Sequence, residues 1–118
     1  MTMQETLELT DASDDNQLLL SEVLRRVDTV HPHARVILFG SRATDQHRPD
    51  SDVDLAVITT DIPHGRATSG PLRRALWGLG VGFDLLVVTP EQWQAMLQVG
   101  NSIAAVIAAQ GRVLREGH

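Results

Sequence analysis

Apolar residues along the chain follow two spacings, one typical of helices and one typical of strands. Residues 14–30 place apolar side chains at the i, i+3, i+4 and i+7 positions of an amphipathic helix, which Pro32 ends. Three short apolar runs predict β-strands, at about 35–39, 52–60 and 83–89. Three further helices are predicted, at about 70–79, 90–99 and 102–109. Residues 1–13 are polar and have no clear period, so we expect a loose N-terminal arm before a single domain over 14–118.

Local signals mark where several of these helices start. Thr89 followed by Gln92 forms the pattern of a capping box, in which the two side chains bond to each other's backbone amides. Pro71 suits the first turn of the second helix, where a missing amide proton costs nothing. Asn101 is expected to cap the last helix.

The order of these elements predicts an α/β fold, a two-layer domain with a small mixed β-sheet flanked by helices. The connection between the first two strands is too short for a crossover helix, so these strands could be antiparallel. Trp77 and Trp93 lie on apolar helical faces, which favours packing in the core over stacking on a base. Arg112–Arg115 is expected to form a short edge strand or a tail.

The composition is that of an ordinary globular protein, with 42% hydrophobic and 21% charged residues. A net charge of −5 does not predict the basic surface that duplex nucleic acid or a membrane would attract. The chain has no cysteine, which excludes disulfides and thiolate metal sites and fits a reducing cytoplasm. The acidic N-terminus lacks the pattern of a signal peptide, so we expect a cytoplasmic location.

The candidate chemistry lies in residues 36–54, VILFGSRATDQHRPDSDVD. Gly40 and Ser41 follow the first predicted strand, and the free amides at a helix start there could bind an anion. Asp52 and Asp54 stand at the start of the second strand, and alternate residues of a strand share one face. Two adjacent carboxylates repel each other unless a hard cation lies between them, and oxygen ligands suit Mg²⁺.

Gly40-Ser41 followed by Asp52-x-Asp54 resembles the signature of the nucleotidyltransferase superfamily related to DNA polymerase β. The stretch GSRATDQHRPDSDVDLAV is most similar to the shortest branch of that superfamily, the minimal nucleotidyltransferases of prokaryotes. The resemblance implies a polymerase β-like nucleotidyltransferase fold and a third acid on a later strand. Asp84, in GFDLLVV, fits that third position.

The same resemblance implies a role for each of these residues. Asp52 and Asp54 would bind both of two Mg²⁺ ions, while Asp84 would bind one of them and help to deprotonate an acceptor hydroxyl. The phosphates of ATP would be held by residues that follow the first strand, Gly40, Ser41 and Arg42. For Arg42 an exposed position on the helix surface is an equally good interpretation. The role of Asp84 depends on strand register, since a slip of one residue would turn its side chain away.

Two departures from the pattern of the minimal branch concern nucleotide binding. Thr44-Asp45 stand where that branch commonly has Arg-Gly, and His47 replaces a small residue. Asp45 adds a negative charge near the expected phosphates, an effect on the order of 1 kcal/mol at a partly exposed site. We therefore expect intact metal ligands and weakened nucleotide binding.

The function implied by the resemblance is Mg²⁺-dependent transfer of a nucleoside monophosphate, AMP from ATP in the first instance, to a hydroxyl acceptor. The short chain is similar to the antitoxins of two-component modules, in which a minimal nucleotidyltransferase modifies a tyrosine of a helical HEPN-domain ribonuclease toxin. Two alternatives stay open: an antitoxin that neutralises its partner by binding alone, and a small-molecule nucleotidyltransferase acting on an aminoglycoside-like hydroxyl. Direct nucleic-acid or membrane binding is not expected, and a homo- or hetero-oligomer is left open.

Overall fold

The computed structural model describes residues 12–44, 46–62 and 69–117. The helices in these ranges are α1 (Ala12–Val30), a 3₁₀ helix (Ser41–Ala43), α2 (Gly70–Ala75), α3 (Pro90–Leu97) and α4 (Ile103–Gln110). The strands are β1 (Arg35–Phe39), β2 (Val53–Ile58), β3 (Phe83–Val88) and β4 (Arg112–Arg115). Strand ends agree with the sequence prediction to within two residues. The predicted N-terminal arm, residues 1–13, falls almost entirely outside the described residues, and α1 starts at Ala12.

The four strands form one mixed sheet in the order β3-β2-β1-β4. β1 runs antiparallel to both β2 and β4, whereas β2 and β3 are parallel. The predicted mixed α/β sheet is therefore confirmed. Arg112–Arg115 is an edge strand rather than a tail, because it pairs with the outer side of β1.

Both faces of the sheet are covered by helices. Alternate residues of each strand point to opposite faces, and apolar side chains occupy both of them. On one face Val36 and Leu38 of β1 are fully buried against α1 and α2. On the other face Ile37 packs with buried side chains of α3 and α4. The two-layer expectation accounts for one face only, and the second apolar cluster adds a third layer. None of the described helices is both long and apolar enough to cross a membrane.

The two tryptophans end up in opposite environments. Trp93 is 3% exposed in the core, as predicted. α2 ends at Ala75, and Leu76 then fills the core position. Trp77 falls in the turn beyond the helix and is 84% exposed, so the prediction that it packs inward was wrong. The glycine-rich residues that follow Trp77 stop the helix before another turn can form.

Of two helix caps predicted from the sequence, one is present and the other is not. The capping box of α3 is present, with the Thr89 hydroxyl accepting from the Gln92 amide at 3.0 Å and the Gln92 side chain accepting from the Thr89 amide at 2.9 Å. The cap of α4 is Ser102, whose hydroxyl accepts from the Ala105 amide at 3.1 Å. Asn101 instead adopts a left-handed conformation with φ of 67°, so its predicted capping role was wrong.

Arg115 fastens β4 to the end of α1. Its guanidinium donates to the carbonyl oxygens of Ala34, at 2.9 and 3.0 Å, and of His31, at 2.9 Å. It also forms an ion pair with Asp28. The last described strand is thereby held to the helix that precedes the first strand.

Candidate active site

The sheet brings the three predicted acids to one end. β1 finishes where the parallel strands β2 and β3 begin, so Phe39 lies opposite Asp54 and Asp54 lies beside Asp84. Asp52 comes directly before β2. The register required for Asp84 is therefore present, and its backbone neighbours that of Asp54 across the parallel pair. Their identification as metal ligands and catalytic residues remains a prediction.

Of the three carboxylates, Asp54 has the least favourable environment. It is half-buried, and its Oδ1 atom is inaccessible to water and has no hydrogen-bond partner among the described residues. Burial, a hydrogen bond with the Asp84 carboxyl and the negative charges of Asp84 and Asp52 raise the pKa of Asp54 from the usual 3.8 to about 6. A buried carboxylate oxygen without a donor is costly, so a cation at this point would relieve both the burial and the repulsion.

Two glycines let the backbone approach these carboxylates. Gly40 has a φ of 75°, and a Cβ atom added there would overlap the Asp54 carboxylate. A Cβ atom at Gly82 would lie 2.6 Å from Oδ1 of Asp52. Gly82 was missed in the sequence, where it is one of several glycines. The pairing of Val53 with Phe83 sets it beside Asp52, and that register is visible only in the sheet.

The turn after β1 is shorter than an α-helix. Ser41 starts a single 3₁₀ turn, in which the Ala43 amide donates to the Gly40 carbonyl at 3.1 Å and the Thr44 amide donates to the Ser41 carbonyl at 3.2 Å. The predicted short helix at this point is thus present. Phosphate binding by Gly40 and Ser41 remains a prediction. Asp45, which departs from the pattern of the minimal branch, lies outside the described residues.

Arg42 has a different position from the one expected of a phosphate ligand. It is 2% exposed, so the alternative of an exposed position on the helix surface was wrong. Its Nε and Nη2 atoms donate to the Ser51 carbonyl at 3.0 and 2.8 Å, and Nη2 also donates to the Pro49 carbonyl at 3.0 Å. Nη1 donates to the side chain of buried Asn16, in α1, at 2.8 Å. Arg42 therefore fixes the loop that leads into Asp52, and its donors are committed there.

The donor set fits a hard cation better than a soft one. The three acids offer only oxygen atoms, and Oδ1 of Asp54 is buried without a hydrogen-bond partner among the described residues. Within the described residues no group of three His, Cys, Asp or Glu side chains is already gathered around one point. Asp52 and Asp84 are exposed, so either side chain could rotate toward Asp54 without disturbing the core.

Comparisons with known proteins concern the fold and the family of the chain. No curated protein matches the chain by sequence. A crystal structure of a candidate nucleotidyltransferase from Sulfolobus solfataricus superposes with a TM-score of 0.58 at 18% identity, covering 90% of this chain and 88% of that one. At this identity the likeness concerns the fold. The family model described as nucleotidyltransferase domain matches residues 20–103, more than half of the chain, including Gly40 and all three acids. The chain therefore belongs to the nucleotidyltransferase domain family.

Proposed function

We propose that this protein transfers a nucleoside monophosphate, AMP from ATP in the first instance, to a hydroxyl group in a Mg²⁺-dependent reaction that releases pyrophosphate. Membership of the nucleotidyltransferase family supports the transfer itself. The observation that carries the metal requirement is Asp54, a half-buried carboxylate beside two further acids, one of whose oxygens has no hydrogen-bond partner among the described residues. Such an arrangement is unfavourable in a purely structural role and is common where charge is handled in a reaction.

The charges in the proposed complex explain the need for metal. Three acids meet a triphosphate that carries several negative charges of its own, and their mutual repulsion would prevent binding. Asp52, Asp54 and Asp84 are the residues proposed to hold the ions. Two Mg²⁺ ions, when bound, would offset much of this charge and stabilise the attacking and leaving oxygens of an in-line displacement.

The chain's own residues have separate tasks in this reaction. The acceptor oxygen forms a bond to the α-phosphorus as the bond between the α-phosphorus and the bridging oxygen breaks, and pyrophosphate leaves with the bonding electrons. Asp84, which is exposed, is proposed to take the proton of the acceptor hydroxyl. Gly40 and Ser41 are proposed to hold the β- and γ-phosphates. Arg42 contributes indirectly, by holding the loop that ends at Asp52.

The proposed acceptor is a tyrosine hydroxyl of a partner protein, a HEPN-domain toxin. The support for this step is the resemblance of GSRATDQHRPDSDVDLAV to the minimal nucleotidyltransferases. In this proposal the protein acts as an antitoxin that silences its partner by covalent modification. A helical partner encoded beside this chain is the natural acceptor to test.

Intact-mass spectrometry of that partner tests the proposal directly. After incubation with this protein, ATP and Mg²⁺, the partner should gain the mass of one or more AMP units. Asp54→Asn should lower the rate at least about 10³-fold, since a metal site stabilises the transition state by several kcal/mol. Glu91→Gln removes an exposed acid from the first turn of α3 and serves as the matched control, with wild-type activity expected.

Other outcomes would contradict the proposal in different ways. A stable complex without any gain in mass would replace transfer by neutralisation through binding alone. Equal rates for Asp54→Asn and the wild type would remove the chemistry from the paired acids. A gain in mass that persists after chelation of Mg²⁺ would contradict the role given to the metal.

A further inference from the structure

Trp77 is a large apolar side chain held out into solvent on a fixed backbone. Its carbonyl oxygen accepts from Nη1 of Arg26 at 2.7 Å, and the same Nη1 donates to the Ala75 carbonyl at 3.3 Å. Arg26 is itself paired with Glu22 at 2.9 Å. The indole nevertheless remains 84% exposed. Tryptophan is usually well buried, and an anchored, exposed one is typical of a contact site for another molecule.

Two arginines flank this indole and give the surface a positive charge. Arg73 donates from Nη1 to the Phe83 carbonyl at 3.0 Å and from Nε to the Ser69 hydroxyl at 3.2 Å, so its position is fixed. Arg74 is exposed. We refer to Arg73, Arg74 and Trp77 as the Trp77 patch. Its two positive charges stand out on a chain whose net charge is −5.

A cleft extends from the Trp77 patch to the start of β3. Its volume is about 540 Å³, within the range of ligand sites, and its walls include Arg73, Trp77, Gly82 and Phe83. Gly82 is the residue against which the Asp52 carboxylate lies. Arg73 bonds to the carbonyl of Phe83, the residue directly before Asp84. None of the three acids lines the cleft. Phe83 packs on the sheet face that α1 and α2 cover, and alternation along the strand turns Asp84 to the other face, so the cleft and the acids share only the β3 edge of the sheet. Asp50 also lines the cleft and is acidic, so the positive charge near the cleft comes from the arginines of the Trp77 patch.

The order of the strands indicates which substrate, the triphosphate or the acceptor, lies nearer to this cleft. Gly40, the proposed phosphate position, follows β1, whereas the cleft adjoins the start of β3, on the other side of β2. In an in-line displacement the attacking and leaving oxygens lie on opposite sides of the phosphorus. If pyrophosphate leaves toward Gly40, an acceptor protein approaches across the β3 edge of the sheet, the edge at which the cleft lies.

We infer that the Trp77 patch and its cleft bind an acidic segment of the protein that carries the acceptor hydroxyl. The indole supplies a face for an aromatic side chain, and Arg73 and Arg74 attract carboxylates. This inference rests on the proposed function, because the direction of approach follows from the place given to the triphosphate. The inference gives the proposed reaction a positively charged surface that recognises the acceptor protein.

The test uses a polymer whose charge and aromatic content are defined. Fluorescently labelled random poly(Glu,Tyr) is titrated with the full chain in the absence of nucleotide, and binding is followed by fluorescence polarisation. Trp77→Ala and Arg74→Glu should each weaken binding about tenfold or more, as expected for central contact residues. Leu18→Ala and Arg112→Glu are matched controls, because both residues are exposed and lie on α1 and β4, away from the cleft. Both should bind as the wild type does.

Each alternative result overturns the inference. Absence of binding to poly(Glu,Tyr), a preference for poly(Lys,Tyr), or equal binding by the patch variants and the controls would each do so. Preferential binding of single-stranded RNA to the same residues would assign the patch to nucleic acid. The proposed function is followed separately, as thermal stabilisation by ATP and Mg²⁺. If ATP and Mg²⁺ do not stabilise the protein while it still binds the polymer, the result counts against nucleotidyl transfer and not against the Trp77 patch.

Discussion

Arg42 and Asp54 are two ionisable side chains withdrawn from water, and the protein treats them in opposite ways. The Arg42 guanidinium is buried with Nε, Nη1 and Nη2 all donating hydrogen bonds. Asp54 has an oxygen with no hydrogen-bond partner among the described residues, and it faces two charges of its own sign. A satisfied buried charge organises structure, whereas an unsatisfied one costs stability. The contrast suggests that the first is there for the loop and the second for a ligand.

Removing Arg42 should have the largest effect on stability. Arg42→Ala leaves the carbonyls of Pro49 and Ser51 and the side chain of Asn16 without their donor. We expect the free energy of unfolding to fall by about 3 kcal/mol, measured by urea denaturation. Arg74→Ala, at an exposed arginine, is the matched control and should change it by less than about 0.5 kcal/mol. Similar values for the two variants would break the comparison.

Gly40→Ala should have an intermediate effect with two separable parts. Gly40 has φ 75° and ψ −158°, a region that only glycine readily adopts and that costs another residue about 1–3 kcal/mol, and here the new Cβ would also push against Asp54. Gly78 also has a positive φ, of 87°, but open space around it, so Gly78→Ala measures the backbone cost alone. Thermal denaturation should place Gly40→Ala below Gly78→Ala in stability. Equal losses would show that Asp54 simply moves aside.

The smallest expected effect is the pH dependence that Asp54 gives to folding. Because its pKa is raised in the folded state, the folded protein binds the proton more tightly than the unfolded chain. The contribution of Asp54 to stability therefore falls as the pH rises from about 4 to about 6. Above that range Asp54→Asn should be more stable than the wild type by about 1 kcal/mol, a value reduced for partial exposure to solvent.

Comparison of the two unfolding curves across pH checks this expectation. The difference between the wild type and Asp54→Asn should be small near pH 4 and should widen toward pH 7. Added Mg²⁺ should stabilise the wild type and leave Asp54→Asn nearly unchanged, so the difference narrows or reverses. A difference that stays constant with pH would mean that Asp54 is not under strain from its neighbours.

Much of the fold could be predicted because its signals are local. Apolar spacing located the strands, and Thr89 with Gln92 marked the start of α3 through residues three positions apart. The resemblance also predicted a third acid on a later strand, Asp84, and the sheet places that residue beside Asp54. These features depend on neighbours along the chain or on one short pattern.

The remaining features depend on partners that are distant in sequence. Arg42 is buried because Asn16 of α1 accepts its hydrogen bond, and no local pattern reveals that contact. Gly82 matters because β2 and β3 pair in one particular register. Trp77 is exposed because α2 ends early and Leu76 takes the inward position, and Arg26 of α1 donates to the Trp77 carbonyl beyond the end of the helix.

The place of β4 in the sheet has a consequence for the order in which the chain matures. β4 covers the outer edge of β1, although most of the chain separates these two strands. During synthesis the edge of β1 therefore stays open until Arg112–Arg115 has been made, while α1 and the hairpin of β1 and β2 already exist. An open edge can pair with other nascent strands. Once β4 has left the ribosome, it can cover this edge, and the contacts of Arg115 with Asp28, His31 and Ala34 hold it there.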